Sequence, residues 1–360
     1  MKSPLTTLPF PATVGLFFAV GLCVGQAVFR WGVRLTSDAS ATPRTPAGGP
    51  VWCFVPLIGP LTARDCRCRD VPLRGWGTLT ELACGLLFAA FIVAKIAYRC
   101  QEIPEVRPDE FWRDGRIVFH LVLIALLMAA TVADFREYVI PDQIVLPGVL
   151  FAVAMAFGSG DLQTVHVWVD ATQEIPGLKG AYIPQWIKDH HHWHGLAWSL
   201  AGLAAGAGLT WLLRLVSSLL LGQEALGFGD VTLMAMIGSF TGWQPVLAIL
   251  VLAPFCGVAM AVGVRLLSRK TYVPYGPFLA AATLIVLFGW RWIWTFTIDV
   301  GLREPFSVRK LFGDWIALLI LTGIAFAALI ALLLLLRLYR AAPGKREDEM
   351  GVDPSERSGE

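Results

Sequence analysis

The sequence predicts an all-α protein: a polytopic bundle of about eight to nine transmembrane helices, with an inner-face loop near the N-terminus. Three observations predict it. Of 360 residues, 56% are apolar and only 16% are charged, and the mean hydropathy of +0.63 is one that water-soluble domains rarely approach. Several stretches of about 17 to 25 residues carry almost no charge, the length that crosses a hydrocarbon core about 30 Å thick. The basic residues favour one side of the resulting alternation. A soluble globular enzyme and a disordered chain are thereby excluded. A net charge of +2, with its basic residues scattered among loops, also excludes nucleic acid as a partner.

The apolar run at 11–29 follows a single Lys2, lacks a small-residue cleavage pattern and runs straight into Arg30 and Arg34, so it reads as a retained helix and not a removed signal. Further runs lie at 77–97, 117–133, 143–158, 196–213, 231–242, 245–264, 277–290 and 315–336. With the chain starting outside, the inner segments hold 17 of the 29 basic residues. The bias is clearest in two clusters, Arg265 with Arg269 and Lys270, and the group from Arg337 to Arg346. In this topology Cys100 is the one cysteine of seven on the outer face, so a disulfide framework is not expected.

The chain divides accordingly. Residues 1–76 form a first helix and a cysteine-containing inner loop, and 77–296 a membrane core with an outer insertion at 159–195. Residues 297–340 carry an extra C-terminal helix, and 341–360 form a tail rich in Pro, Gly, Ser and Glu that reads as disordered. The insertion ends in the run from His190 to His194, which reads as an exposed turn, and Trp290, Trp292 and Trp294 read as an interfacial aromatic anchor.

Ionisable groups at membrane boundaries are the informative residues, because burying them is costly. Around Asp134 an apolar helix brings a carboxylate to its inner end, before Pro141 and Asp142 interrupt the regular backbone. At Gly227-Phe228-Gly229-Asp230, two glycines allow a tight approach to other backbone before Asp230 opens the next helix, where the macrodipole favours a negative charge. The topology places Asp134 and Asp230 at the same face. Two carboxylates that meet would share one proton, so that one activates a water while the other polarises a peptide carbonyl.

These residues resemble the signature of the type IV prepilin leader peptidases, the bacterial branch of the GxGD intramembrane aspartic proteases. The resemblance rests on the run from Gly227 to Trp243, on the Asp134 to Asp142 element, and on Tyr272-Val273-Pro274-Tyr275-Gly276-Pro277-Phe278, which is similar to the family's late Pro-Phe-Gly-Pro loop. It covers residues 77 to 295 and implies Asp134 and Asp230 as the catalytic pair. Gly227, Gly229, Pro141, Asp142, Pro274, Gly276 and Pro277 would shape the site or contact substrate. The implied reaction is removal of the basic leader of type IV prepilins or pseudopilins after a Gly, at the cytoplasmic face of the bacterial inner membrane. No cofactor is needed for it.

Members of the family often also methylate the new N-terminus, with S-adenosylmethionine as donor, and this chain leaves that activity open. Gln26 and Phe29 stand where the family usually has Ser and Asn. Cys53, Cys66 and Cys68 supply three thiolates where two Cys-x-x-Cys pairs would supply four, so zinc is not expected. Thr232 stands where the family often has Lys. Glu137, Asp142 and Glu224 are the acidic inner residues suited to a basic leader. The same chemistry could serve a protease acting on other membrane segments. A proton- or cation-coupled transporter using the same aspartates is the rival from another class, but it would place them near the midplane of paired halves. An inactive assembly scaffold would need both aspartates to be dispensable.

Overall fold

The computed structural model describes residues 9–36, 56, 74–169, 183–222, 226–267, 274–299 and 306–341. Cys53, Cys66, Cys68 and Glu224 lie outside them. The protein is a multi-pass helical membrane protein. Seven helices among the described residues are long and apolar enough to cross a bilayer, and two apolar segments, 228–241 and 315–328, are shorter.

Helix α1 (Phe10–Leu35) packs along α2 (Arg74–Ile96). Their backbones nearly touch, since a Cβ at Gly21 would sit 2.7 Å from the Gly85 Cα and one at Gly25 would sit 2.8 Å from the Glu81 Cα. Small residues let helices approach this closely where lipid supplies no hydrophobic force between them. Helix α3 (Glu110–Glu137) is the central one, the most deeply buried of the seven spans among the described residues. It stops at Tyr138, whose left-handed backbone (φ 55°) lets its N–H bond the Asp134 carbonyl at 3.0 Å. Pro141 then starts the return into α4 (Asp142–Ser159).

After the short α5 (Gln185–Asp189) come α6 (His191–Leu221), α7 (Phe228–Thr241), α8 (Trp243–Leu267) and α9 (Gly276–Trp294). A two-residue antiparallel ladder, β1 (Thr297–Ile298) on β2 (Phe306–Ser307), leads through α10 (Val308–Gly313) to α11 (Trp315–Ala341), which lies against α6. Helix α7 is apolar on every side and mostly buried, as a helix enclosed by others must be. Its Phe240 meets Phe119 of α3 at a ring separation of 4.7 Å. Against α6 it is held at backbone contact: a Cβ at Gly202 would collide with the Gly238 carbonyl oxygen, and one at Gly206 with that of Met234.

Two sequence expectations are corrected. Trp290 and Trp294 are buried inside the bundle, and only Trp292 is exposed; a spacing of four puts the first two on one helix face and Trp292 on the other. His191 to His194 are not a turn but the first turn of α6, and His194 is fully buried, its Nε2 accepting the Val167 N–H at 3.2 Å.

Cys100 is also enclosed, with its Sγ 3.9 Å from the Leu287 carbonyl oxygen, and burial pushes its thiol up to about 11. Because the thiolate is the reactive form, Cys100 is expected to resist maleimide in the folded protein and to react after denaturation, read by intact mass. Labelling of the folded protein at the rate of a free thiol would show the 97–101 segment to be open.

Candidate active site

Three segments distant in sequence meet at one end of the bundle. The last turn of α3 carries Asp134, the first turn of α7 carries Asp230, and the start of α9 brings Gly276. Both carboxylates are buried, at 5% and 7% exposure. Each is held by backbone. Asp134 Oδ2 accepts the Gly276 N–H at 2.9 Å, a bond spanning 142 residues, and Asp230 Oδ2 accepts the Gly227 N–H at 3.1 Å, reaching back to satisfy a donor left free at the start of its helix.

Ile140 occupies the space between the motifs. A Cβ on Gly229 would lie 3.1 Å from the Ile140 Cβ, and one on Gly276 would lie 3.2 Å from its Cδ1 and 2.5 Å from Asp134 Oδ2. A side chain at Gly276 would thus displace the Asp134 carboxylate, one at Gly229 would press on Ile140, and the buried Ile140 packs against both elements. Pro141 fixes this geometry from the sequence, because the residue before a proline is driven into extended backbone. Tyr275, next to Gly276, is largely enclosed and packs edge-on to Phe278 at 5.8 Å. Burial and the Asp230 charge push its phenol up to about 12, so it is a neutral group at any working pH.

The other expected residues fall around this centre. Pro141, Pro274 and Pro277 are buried in its walls, while Gly227 is exposed and Gly229 partly so. Asp142 and Glu137 are exposed, next in sequence to the turn that joins α3 to α4. Thr232 turns its hydroxyl back onto the Gly229 carbonyl at 3.0 Å and so adds no charge to the site. Sequence reasoning missed two positioning residues. Ile140 carried no signal beyond its place before a proline. Arg214 of α6, counted only as an inner basic residue, bonds the Leu226 carbonyl at 3.1 Å and lies over the Phe228 ring at 5.8 Å, fixing the approach to α7. Among the described residues no three His, Cys, Asp or Glu side chains gather to hold a metal.

Residues 121–262, which include both aspartates, match the type IV leader peptidase family. A prepilin leader peptidase/N-methyltransferase of Pseudomonas putida is 33% identical over 188 residues, covering 49% of this chain and 53% of the relative. One from Aeromonas salmonicida is 29% identical over 174 residues, covering 46% and 47%. One from Myxococcus xanthus is 26% identical over 259 residues, covering 70% and 63%. The chain spans about half the length of the first two relatives. No solved structure matches it.

Proposed function

We propose that the protein is a membrane-embedded aspartic endopeptidase that removes the leader of prepilin- or pseudopilin-like precursors, a reading supported by the match of residues 121–262 to the type IV leader peptidase family. The observation that carries the reading is the pair Asp134 and Asp230, buried at matching helix ends and each oriented by a backbone N–H. One carboxylate takes a proton from a water whose oxygen attacks the scissile carbonyl carbon. The other, protonated, gives its proton to the carbonyl oxygen, and collapse of the tetrahedral species passes a proton to the leaving amine. The titration belongs to the pair, because two adjacent carboxylates do not ionise independently.

Orientation supplies the rest of the reading. The bias of basic residues supports an orientation in which the dyad end faces the cytoplasm, and the family likeness supports an inner-membrane location. The exposed Glu137 and Asp142 stand beside the dyad where a basic leader would lie. Prepilin-like precursors are the partners, presented laterally from the bilayer. Proteolysis of this kind requires no cofactor; S-adenosylmethionine would serve only the methyl transfer in the relatives' names.

The test is cleavage of a model prepilin, with a basic leader, Gly at the cut and an apolar helix behind it, by membranes containing the protein. Release of the leader at the Gly, read by mass, is the expected result. An intact substrate with inserted protein would overturn the reading and move the cation- or proton-coupled transporter forward. A finer test is Gly276→Ala. Its Cβ would lie 2.5 Å from Asp134 Oδ2 and displace the carboxylate from its N–H. Cleavage is expected to fall about 10²-fold with thermal stability little changed, since displacement by about 1 Å is enough for that loss.

A further inference from the structure

At the opposite end of the bundle the chain builds a small polar cavity that proteolysis does not use. Asp134 lies at the end of α3, whereas Asp142, Asp230 and Gly276 lie at the starts of α4, α7 and α9, so the other ends of these four helices converge away from the dyad. There Glu105 precedes α3, His166 follows α4, Gln244 follows α7, and Trp294 closes α9. Together with Phe312 of α10 they line one cavity with room for about one water-sized group.

Each of the three polar side chains is more than nine-tenths buried, and each leaves one atom without a hydrogen-bond partner: Glu105 Oε1, His166 Nδ1 and Gln244 Oε1. All three atoms are acceptors. His166 Nε2 lies 3.0 Å from the Glu105 carbonyl oxygen, which can only accept, so the ring proton is on Nε2 and Nδ1 presents a lone pair. Gln244 Nε2 donates to the His166 carbonyl at 2.7 Å and the Val167 carbonyl at 3.1 Å, which fixes the amide's orientation. Glu105 Oε2 accepts the Trp294 Nε1–H at 3.3 Å, while Oε1 stands 3.6 Å from Arg309, a separation that offsets charge without a hydrogen bond.

Glu105 Oε1, which faces Arg309 without a hydrogen bond, two further unpartnered acceptors and a wall of Trp294 stacked on Phe312 at 5.6 Å make a receptor for a cationic group carrying three N–H donors, which would compete with Arg309 for the carboxylate. A water brings two protons to three acceptors, and a quaternary ammonium brings none. A divalent metal would find one imidazole and one carboxylate among these side chains, fewer than its usual sites provide. The cavity lies where spanning helices end, with the exposed Trp168 between its neighbours Val167 and Val169, a placement typical of the membrane–water interface. We infer that this cavity binds the primary ammonium of an ethanolamine phospholipid in the leaflet remote from the aspartates.

The test is native mass spectrometry of the full-length protein in detergent, loaded with equal phosphatidylethanolamine and phosphatidylcholine. Wild type is expected to retain one phosphatidylethanolamine, preferred about tenfold, and to lose it to methylammonium. Glu105→Gln should abolish the preference. Arg309→Gln, which removes a competing cation, should raise retention. Melting temperature checks that each variant is folded. Equal retention of the two lipids, or unchanged preference in Glu105→Gln, would overturn the inference. So would methylammonium binding that depends on Glu105 with no lipid preference, since the headgroup assignment then fails. These readouts do not depend on whether the aspartates cleave prepilins.

Discussion

Asp134→Asn and Asp230→Asn are each expected to lower kcat for prepilin cleavage by about 10²–10⁴-fold, the range that a positioned acid or base contributes. The substitution keeps shape and nearly keeps volume. An Asn can still accept the Gly276 or Gly227 N–H through its oxygen, so the helix ends should hold and insertion should be normal. What it removes is the proton inventory, because an amide neither takes a proton from water nor shares one with its neighbour. For the same reason the double variant should be scarcely worse than either single one, as residues acting as a unit are non-additive. Cleavage assays on matched amounts of inserted protein check this. Near-wild-type rates in both single variants would remove the dyad, whatever the family likeness.

Gly202→Val is expected to produce the largest structural loss. The Cβ would collide with the Gly238 carbonyl, and the offending atom is backbone in a buried helix, so neither partner can move aside without separating α6 from α7. Overpacking commonly costs about 1–3 kcal/mol, and a backbone collision belongs at or above the upper end. The site would suffer as well, because α7 carries Asp230. Two variants on α6 serve as references. Gly208 has open space around its would-be Cβ, so Gly208→Ala should be neutral or slightly stabilising through helix propensity. Ser199→Ala removes a bond of 2.8 Å to the Ser239 carbonyl and should cost only about 0.6 kcal/mol, typical of interhelical bonds within membranes. Melting curves that fail to separate Gly202→Val from Gly208→Ala would refute the close approach.

The sequence by itself determined the membrane class, the position of most spans and the two carboxylate-bearing helix ends. Those features are local: a span is a matter of length and apolarity, and a helix end at Pro141 or Gly227 is written in the residues that break or start it. Only the tertiary structure decided which face of each helix turns inward. Lipid and protein core are both apolar, so the contrast that marks the inner face of a helix in water is weak here. That is why Trp290 and Trp294 read as an interfacial anchor and proved to be core, and why His194 read as exposed and proved to be enclosed. The same reason hid the packing of Ile140 at the site, and the Gly276 N–H as the partner of an aspartate 142 residues away. Contacts of that range follow from the packing of four helices, and no local run of residues encodes them.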